Sequence, residues 1–216
     1  MAAGVNFLFP RRGFAPAIVI CGSLAAMLST ANAADSGALA RVAVGSPAPA
    51  FEAPGADGKQ HRLSDYRGKV VVLEWTSPVC PYTAVKYRNG SMQALQKYAA
   101  EHRIIWLSID TAAADRAGYL TAAAARRRIA DTRATVSAFL FDKTGRIARS
   151  YGAKTTPSFF IVDKKGILAY EGAMDDENSA DQLQSRNYVR DALDDLTAGV
   201  TVRQPETKPY GCGIEY

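Results

Sequence analysis

The stretch K-V-V-V-L-E-W-T-S-P-V-C-P-Y-T, residues 69–83, decides how this chain folds. Residues 70–75 form a short apolar, β-branched run interrupted only by Glu74, the pattern of a strand buried on both faces, as in a parallel sheet. The chain then turns through Thr76, Ser77 and Pro78, presents Cys80 and meets Pro81. Proline suits the first position of a helix because the N–H it lacks would have gone unpaired there. A cysteine is thereby placed at a helix N-terminus, where free amides and the positive end of the dipole favour thiolate over thiol. Cys80 is the candidate nucleophile. An isolated cysteine is more often a small buried hydrophobe, and it is the strand-turn-Cys-Pro-helix context that turns the reading.

Upstream of this stretch, residues 1–33 read as a secretory signal. Arg11 and Arg12 precede an apolar run, residues 15–28, and Ala31-Asn32-Ala33 is an A-x-A cleavage pattern. The run is too short and too rich in small residues for a transmembrane anchor. Arg11-Arg12-Gly13-Phe14 also has the look of a twin-arginine export signal, with Pro10 and the absence of a following lysine against it. The expected location is therefore exported, periplasmic or secreted. Cleavage removes both arginines from a formal net charge of +5, and so small an excess points to neither nucleic acid nor an anionic membrane as partner. It also removes Cys21, which leaves Cys80 and Cys212 of the three cysteines, in a compartment that permits a disulfide.

Residues 34–44 read as a flexible leader, residues 45–198 as one domain and residues 199–216 as a Pro- and Gly-containing tail. Asp57-Gly58 is a hairpin turn, and His61 has no ligand partner near it in sequence, so no metal or other cofactor is expected. A helix over 83–101 is expected to break at Asn89-Gly90, with Met92, Leu95, Tyr98 and Ala99 facing the sheet. A second strand over 103–110 precedes an Ala-rich helix over 119–134, whose Arg126-Arg127-Arg128 run is expected on a solvated face. A strand, a turn at 143–145 and a short helix follow. Strands over 158–162 and 167–170 then form an antiparallel hairpin entered through Pro157. A polar loop over 175–185 and an amphipathic helix over 187–198 complete the domain. The order implies an α/β fold: a central mixed sheet with helices on both faces.

This order, with a cysteine after the first long strand and Thr156-Pro157 before a hairpin, resembles the thioredoxin superfamily. Gly45, Ala48, Pro49 and Phe51, the Gly58 turn, Leu63 and Gly68-Lys69 before V-V-V-L are similar to its redoxin branch, which holds peroxiredoxins and exported disulfide reductases. Asn187-Tyr188-Val189 and Pro209-Tyr210-Gly211-Cys212 resemble a peroxiredoxin-like group. The resemblance implies that Cys80 attacks, that Glu74, six residues before it, is a buried acid assisting proton transfer, and that Pro157 is cis and lines the substrate cleft with Thr156 and Pro81. It also exposes departures. Thr83 stands where thioredoxins carry the resolving cysteine. Ser77 fits the peroxiredoxin loop three residues before Cys80, yet Leu73 holds that loop's proline position and Pro157 the position of its arginine; Arg88 is one substitute. Cys212, between Gly211 and Gly213, is the proposed resolving thiol, with pairing between chains or simple packing as the alternatives.

The leading function is an exported thiol oxidoreductase whose Cys80 thiolate attacks a disulfide or an oxidised sulfur of a protein or small molecule, re-reduced by an electron donor the sequence does not name. A peroxide reductase of peroxiredoxin type is the alternative. A non-catalytic module holding a thiol client or Cu(I) is the third, and two cysteines make a weak case for the metal.

Overall fold

A computed structural model of the chain describes residues 41–176 and 185–215. Strands β1 (Glu52–Pro54) and β2 (Gln60–Arg62) pair as the expected hairpin, and β3 (Val71–Thr76) follows with every residue buried. Helices α1 (Pro81–Arg88) and α2 (Ser91–Glu101) are one helical stretch divided at Gly90, whose φ of 81° no other residue type adopts as easily. Strand β4 (Ile105–Asp110), helix α3 (Ala122–Asp131), strand β5 (Ala138–Phe141) and helix α4 (Arg146–Tyr151) come next. The chain ends with β6 (Thr155–Thr156), β7 (Ser158–Val162), β8 (Leu168–Gly172), α5 (Tyr188–Thr197) and β9 (Cys212–Gly213).

Five strands make the central sheet in the order β5-β4-β3-β7-β8, with β3 parallel to β4 and antiparallel to β7. Alternation along β3 divides the core. Val71, Leu73 and Trp75 point to one face, where Leu107, Ile109, Leu140 and Phe160 meet Ile147, Ala148 and Tyr151 of α4. Val72 points to the other, where Trp106, Phe159 and Ile161 meet Met92, Leu95 and Ala99 of α2 and Val189, Ala192 and Leu193 of α5. Such a two-sided core is why β3 reads as an almost unbroken apolar run.

The leader reading does not hold for residues 41–44: Val42 is 9% exposed within the first core and Arg41 pairs with Glu171. Helix α3 is shorter than 119–134 because Thr121 caps it, its side chain accepting from Ala124 N at 3.2 Å. The three arginines lie on the solvated side as expected, Arg126 and Arg127 exposed and Arg128 half-buried, with Arg126 also donating to Ala56 O and Arg128 lying 5.7 Å from the Tyr87 ring centre. The tail is no loose end. Val202 is buried, the Thr207 hydroxyl accepts from Ala173 N at 2.9 Å, and β9 pairs antiparallel with β6. The signal segment, residues 34–40 of the leader and residues 177–184 of the polar loop lie outside the described residues.

Candidate functional site

Cys80 is the N-cap of α1, with extended backbone (φ −80°, ψ 117°) and Pro81 at the first helical position. Its N–H donates to Ser77 O at 3.4 Å, which closes the turn out of β3. The thiol position is 1% exposed. Cys80 is joined by a disulfide to Cys212, 132 residues away, with the two Cα atoms 5.8 Å apart. The Thr156–Pro157 bond is cis, and Cys80 Sγ lies 3.0 Å from Thr156 O. Pairing of Thr155 with Gly213 and of Thr156 with Cys212, extended by Ile214 N donating to Lys154 O at 2.9 Å, lays the tail along the entrance to β7.

The other residues singled out from the sequence divide into two groups. Ser77 lines a cleft of about 310 Å³ together with Val79, Thr111, Arg116, Thr156 and Cys212. Thr83 sits one turn into α1, fully buried, with its hydroxyl unpartnered. Glu74 is buried beneath α1 and α2 and receives Trp106 Nε1 at 2.8 Å, Ser108 Oγ at 2.7 Å and the Tyr87 hydroxyl at 3.4 Å. Burial raises its pKa against those three donors. None of these bonds goes to Cys80; they fasten β3 to β4 and α1. Neither Lys69 nor solvent engages it. Arg88 stands at the far end of α1, about 12 Å along the helix from Cys80, and lines a separate cavity with Arg128 and Arg133.

Sequence reasoning missed three features. Lys86 on α1 is 2% exposed and forms an ion pair with Asp175 Oδ2 at 2.8 Å, and Asp175 also accepts the Tyr210 hydroxyl. The Tyr210 ring lies 5.9 Å from that of Tyr82, so the tail is moored to α1 just before Cys212. Arg116 pairs with Glu215 at 3.5 Å just after it. Nothing in the chain order signals a Lys–Asp pair 89 residues apart. The P-Y-G-C run was the one available hint. Asp110, at the end of β4, has its pKa raised to about 7 by burial, against the pull of Arg128 and the Leu120 amide.

Similarity to known proteins bears on this arrangement. The AhpC/TSA family model matches residues 44–171. The chain belongs to the AhpC/TSA family. Its fold is the thioredoxin-like fold of the redoxins. Among curated proteins it is similar to the thiol-disulfide oxidoreductase ResA of Geobacillus thermodenitrificans, 27% identical over 148 residues, which are 67% of this chain and 78% of the relative. Among solved structures, a hypothetical protein of Sinorhizobium meliloti superposes with a TM-score of 0.72 at 21% identity, covering 81% of this chain and 95% of that one. An uncharacterized conserved protein of Geobacillus kaustophilus gives 0.71 at 24%, covering 81% and 92%. The family match includes Cys80 and Pro157 and ends before Asp175, Tyr210 and Cys212.

Proposed function

We propose that the protein is a thiol-disulfide oxidoreductase in which Cys80 attacks and Cys212 resolves. The observation that carries this is the Cys80–Cys212 disulfide, set at the N-terminus of α1 against the Thr156 carbonyl. In the reducing direction the Cys80 thiolate attacks one sulfur of a substrate disulfide, a Cys80–substrate bond forms, and the other sulfur leaves as thiolate. Cys212 thiolate then attacks Cys80 Sγ, closing the internal disulfide and releasing the second substrate thiolate. The substrate gains two electrons and the pair loses two. The same steps run backwards oxidise a dithiol.

Regeneration starts at the other sulfur. Cys80 is covered, whereas Cys212 is partly exposed and lines the cleft. A donor thiolate attacks Cys212, Cys80 leaves as the thiolate that the helix N-terminus favours, and the donor's second thiolate then takes the donor sulfur into a donor disulfide and releases Cys212, so the pair regains two electrons. Thr83, lying inside α1, takes no part in the exchange. Glu74 acts as a positioning residue that holds β3 against α1. ResA is described as a thiol-disulfide oxidoreductase, and on that likeness this protein is proposed to act on the thiols and disulfides of proteins. Export rests on the A-x-A pattern at Ala31–Ala33; among the described residues no helix is long and apolar enough to cross a membrane.

One observation favours a second reading. Arg116 and Ser77 line the cleft beside Cys212, so a cation and a hydroxyl stand where peroxide would approach. In that reaction Cys80 thiolate takes an oxygen from ROOH, giving ROH and a sulfenic acid that Cys212 condenses to the same disulfide with loss of water. Stopped-flow mixing of the reduced protein with a model disulfide and, separately, with hydrogen peroxide separates the two. Faster internal disulfide formation with the disulfide supports the proposed reading. Rapid oxidation by peroxide alone contradicts it.

A further inference from the structure

The tail brings a thiol, and it also fills the site. Cys212 is fixed by its bond to Cys80 and its pairing with Thr156. Gly211 passes so close to the preceding loop that a Cβ there runs into Thr156 O and comes within 2.7 Å of its carbonyl carbon, and its φ of 129° excludes other residues independently. A Cβ on Gly213, by contrast, meets nothing within 4 Å. Glu215, three residues after the cysteine, faces Arg116. Around the site, Val79 at 59% and Tyr82 at 41% are two of the three exposed large hydrophobics among the described residues, and they flank Cys80. An apolar rim and an open main-chain ladder suit a polypeptide better than a small thiol.

We propose that the tail is a resident pseudosubstrate. It fills the cleft beside Thr156 and cis Pro157 that the family resemblance implies as the substrate site, so the tail's own residues state what an extended, cysteine-bearing segment needs in order to dock there. Glycine is required immediately before that cysteine, and an acidic residue is favoured three positions after it. The proposal rests on the reading of Cys80 as a thiol that attacks disulfides. An incoming segment replaces the tail strand for strand, pairing with Thr155 and Thr156 and taking Arg116 from Glu215. Because the tail is tethered, its effective concentration is high, and only segments that reproduce its contacts displace it. The exchange is balanced within itself: the Cys80 thiolate bonds to the segment's sulfur, the segment's disulfide breaks, and its former partner leaves with the electron pair.

The test uses full-length protein carrying Cys21→Ser and Cys212→Ser, which leaves Cys80 as its one thiol, and the peptide Tyr-Gly-Cys-Gly-Ile-Glu with its cysteine activated as a thionitrobenzoate mixed disulfide. Release of the coloured thiolate reads the attack. Alanine in place of the first glycine is expected to slow release about tenfold through overpacking against the Thr156 carbonyl. Lysine in place of the glutamate is expected to slow it about threefold at low salt, and Arg116→Ala erases that difference. A chain ending at Pro209 is expected to react several-fold faster with the parent peptide. Its unfolding midpoint is measured alongside, and the peptide series on the full-length protein stands without it. Equal rates for every peptide, with ready release, overturn the docking proposal and leave the disulfide reading intact. No release from any peptide, or from the glutathione–thionitrobenzoate disulfide, overturns the disulfide reading itself.

Discussion

The two ends of the Cys80–Cys212 bond are held in different ways. Cys80 is part of the scaffold: it closes the turn from a fully buried strand, caps a helix, and follows directly on the central strand of a five-stranded sheet. Cys212 sits outside the central sheet, on a two-residue ladder extended by Ile214 N donating to Lys154 O, with Tyr210 moored to Asp175 and Tyr82 before it and an exposed ion pair after it. A segment held by a short edge ladder and side-chain contacts near the surface opens at lower cost than the core beside it. One sulfur is therefore a fixed reaction centre and the other a moving partner, which is what two successive exchange steps at the same atom require.

The contrast breaks most decisively at the sulfurs. Cys80→Ser is expected to reduce disulfide reduction to background, whereas Cys212→Ser still makes one attack and stalls as a mixed disulfide; mass spectrometry of the stalled species distinguishes them. If Cys80→Ser still turns over, the fixed and moving roles are reversed. Reduction of the pair opens a loop of 132 residues, which in the chain-entropy picture lowers unfolding free energy by roughly 2 to 5 kcal/mol. Urea denaturation with and without dithiothreitol measures this, and unchanged midpoints would mean the unfolded chain is not constrained by the bond.

On the scaffold side, Asp110 is held at about pKa 7 by burial, above the 3.8 of an exposed aspartate. Its carboxyl binds a proton more tightly folded than unfolded, so stability falls as pH rises from about 4 to about 7 and levels off above. Asp110→Asn is expected to flatten that slope and to raise stability at pH 8 by about 2 to 4 kcal/mol. Urea midpoints at pH 5 and pH 8 check it, and an unaltered slope assigns it to other groups. On the tail side, Tyr210→Phe removes one hydrogen bond to Asp175 and is expected to slow closure of the internal disulfide about fivefold. The alkylation rate of Cys80 by iodoacetamide stays unchanged. A fall in both rates would show that Tyr210 supports α1 rather than the tail alone.

How much was legible in the sequence follows the same division. The V-V-V-L run, the Cys-Pro pair and the Asn89-Gly90 break are local signals, and the strand, the capped thiol and the divided helix appear where those residues stand. Thr156-Pro157 was placed at Cys80 by resemblance, and the structure brings the two together. What the sequence did not display is non-local. Lys86 looks like one more surface lysine until Asp175 is folded onto it, Arg116 is inconspicuous in its turn, and the glycine before Cys212 reads as flexibility rather than as the only residue that clears Thr156. Residues 41–44 looked like a leader because one buried valine and one ion pair leave no periodic trace.

The central claim is that Cys80 and Cys212 form one reversible redox pair within a single chain. Equilibrating the protein across a series of glutathione redox buffers, alkylating the free thiols and mapping the non-reduced peptides tests it most directly. The account predicts one Cys80–Cys212 cross-linked peptide that appears and disappears as a single two-electron transition. Two free thiols in the most oxidising buffer, or Cys212 linked to a second chain, would contradict it.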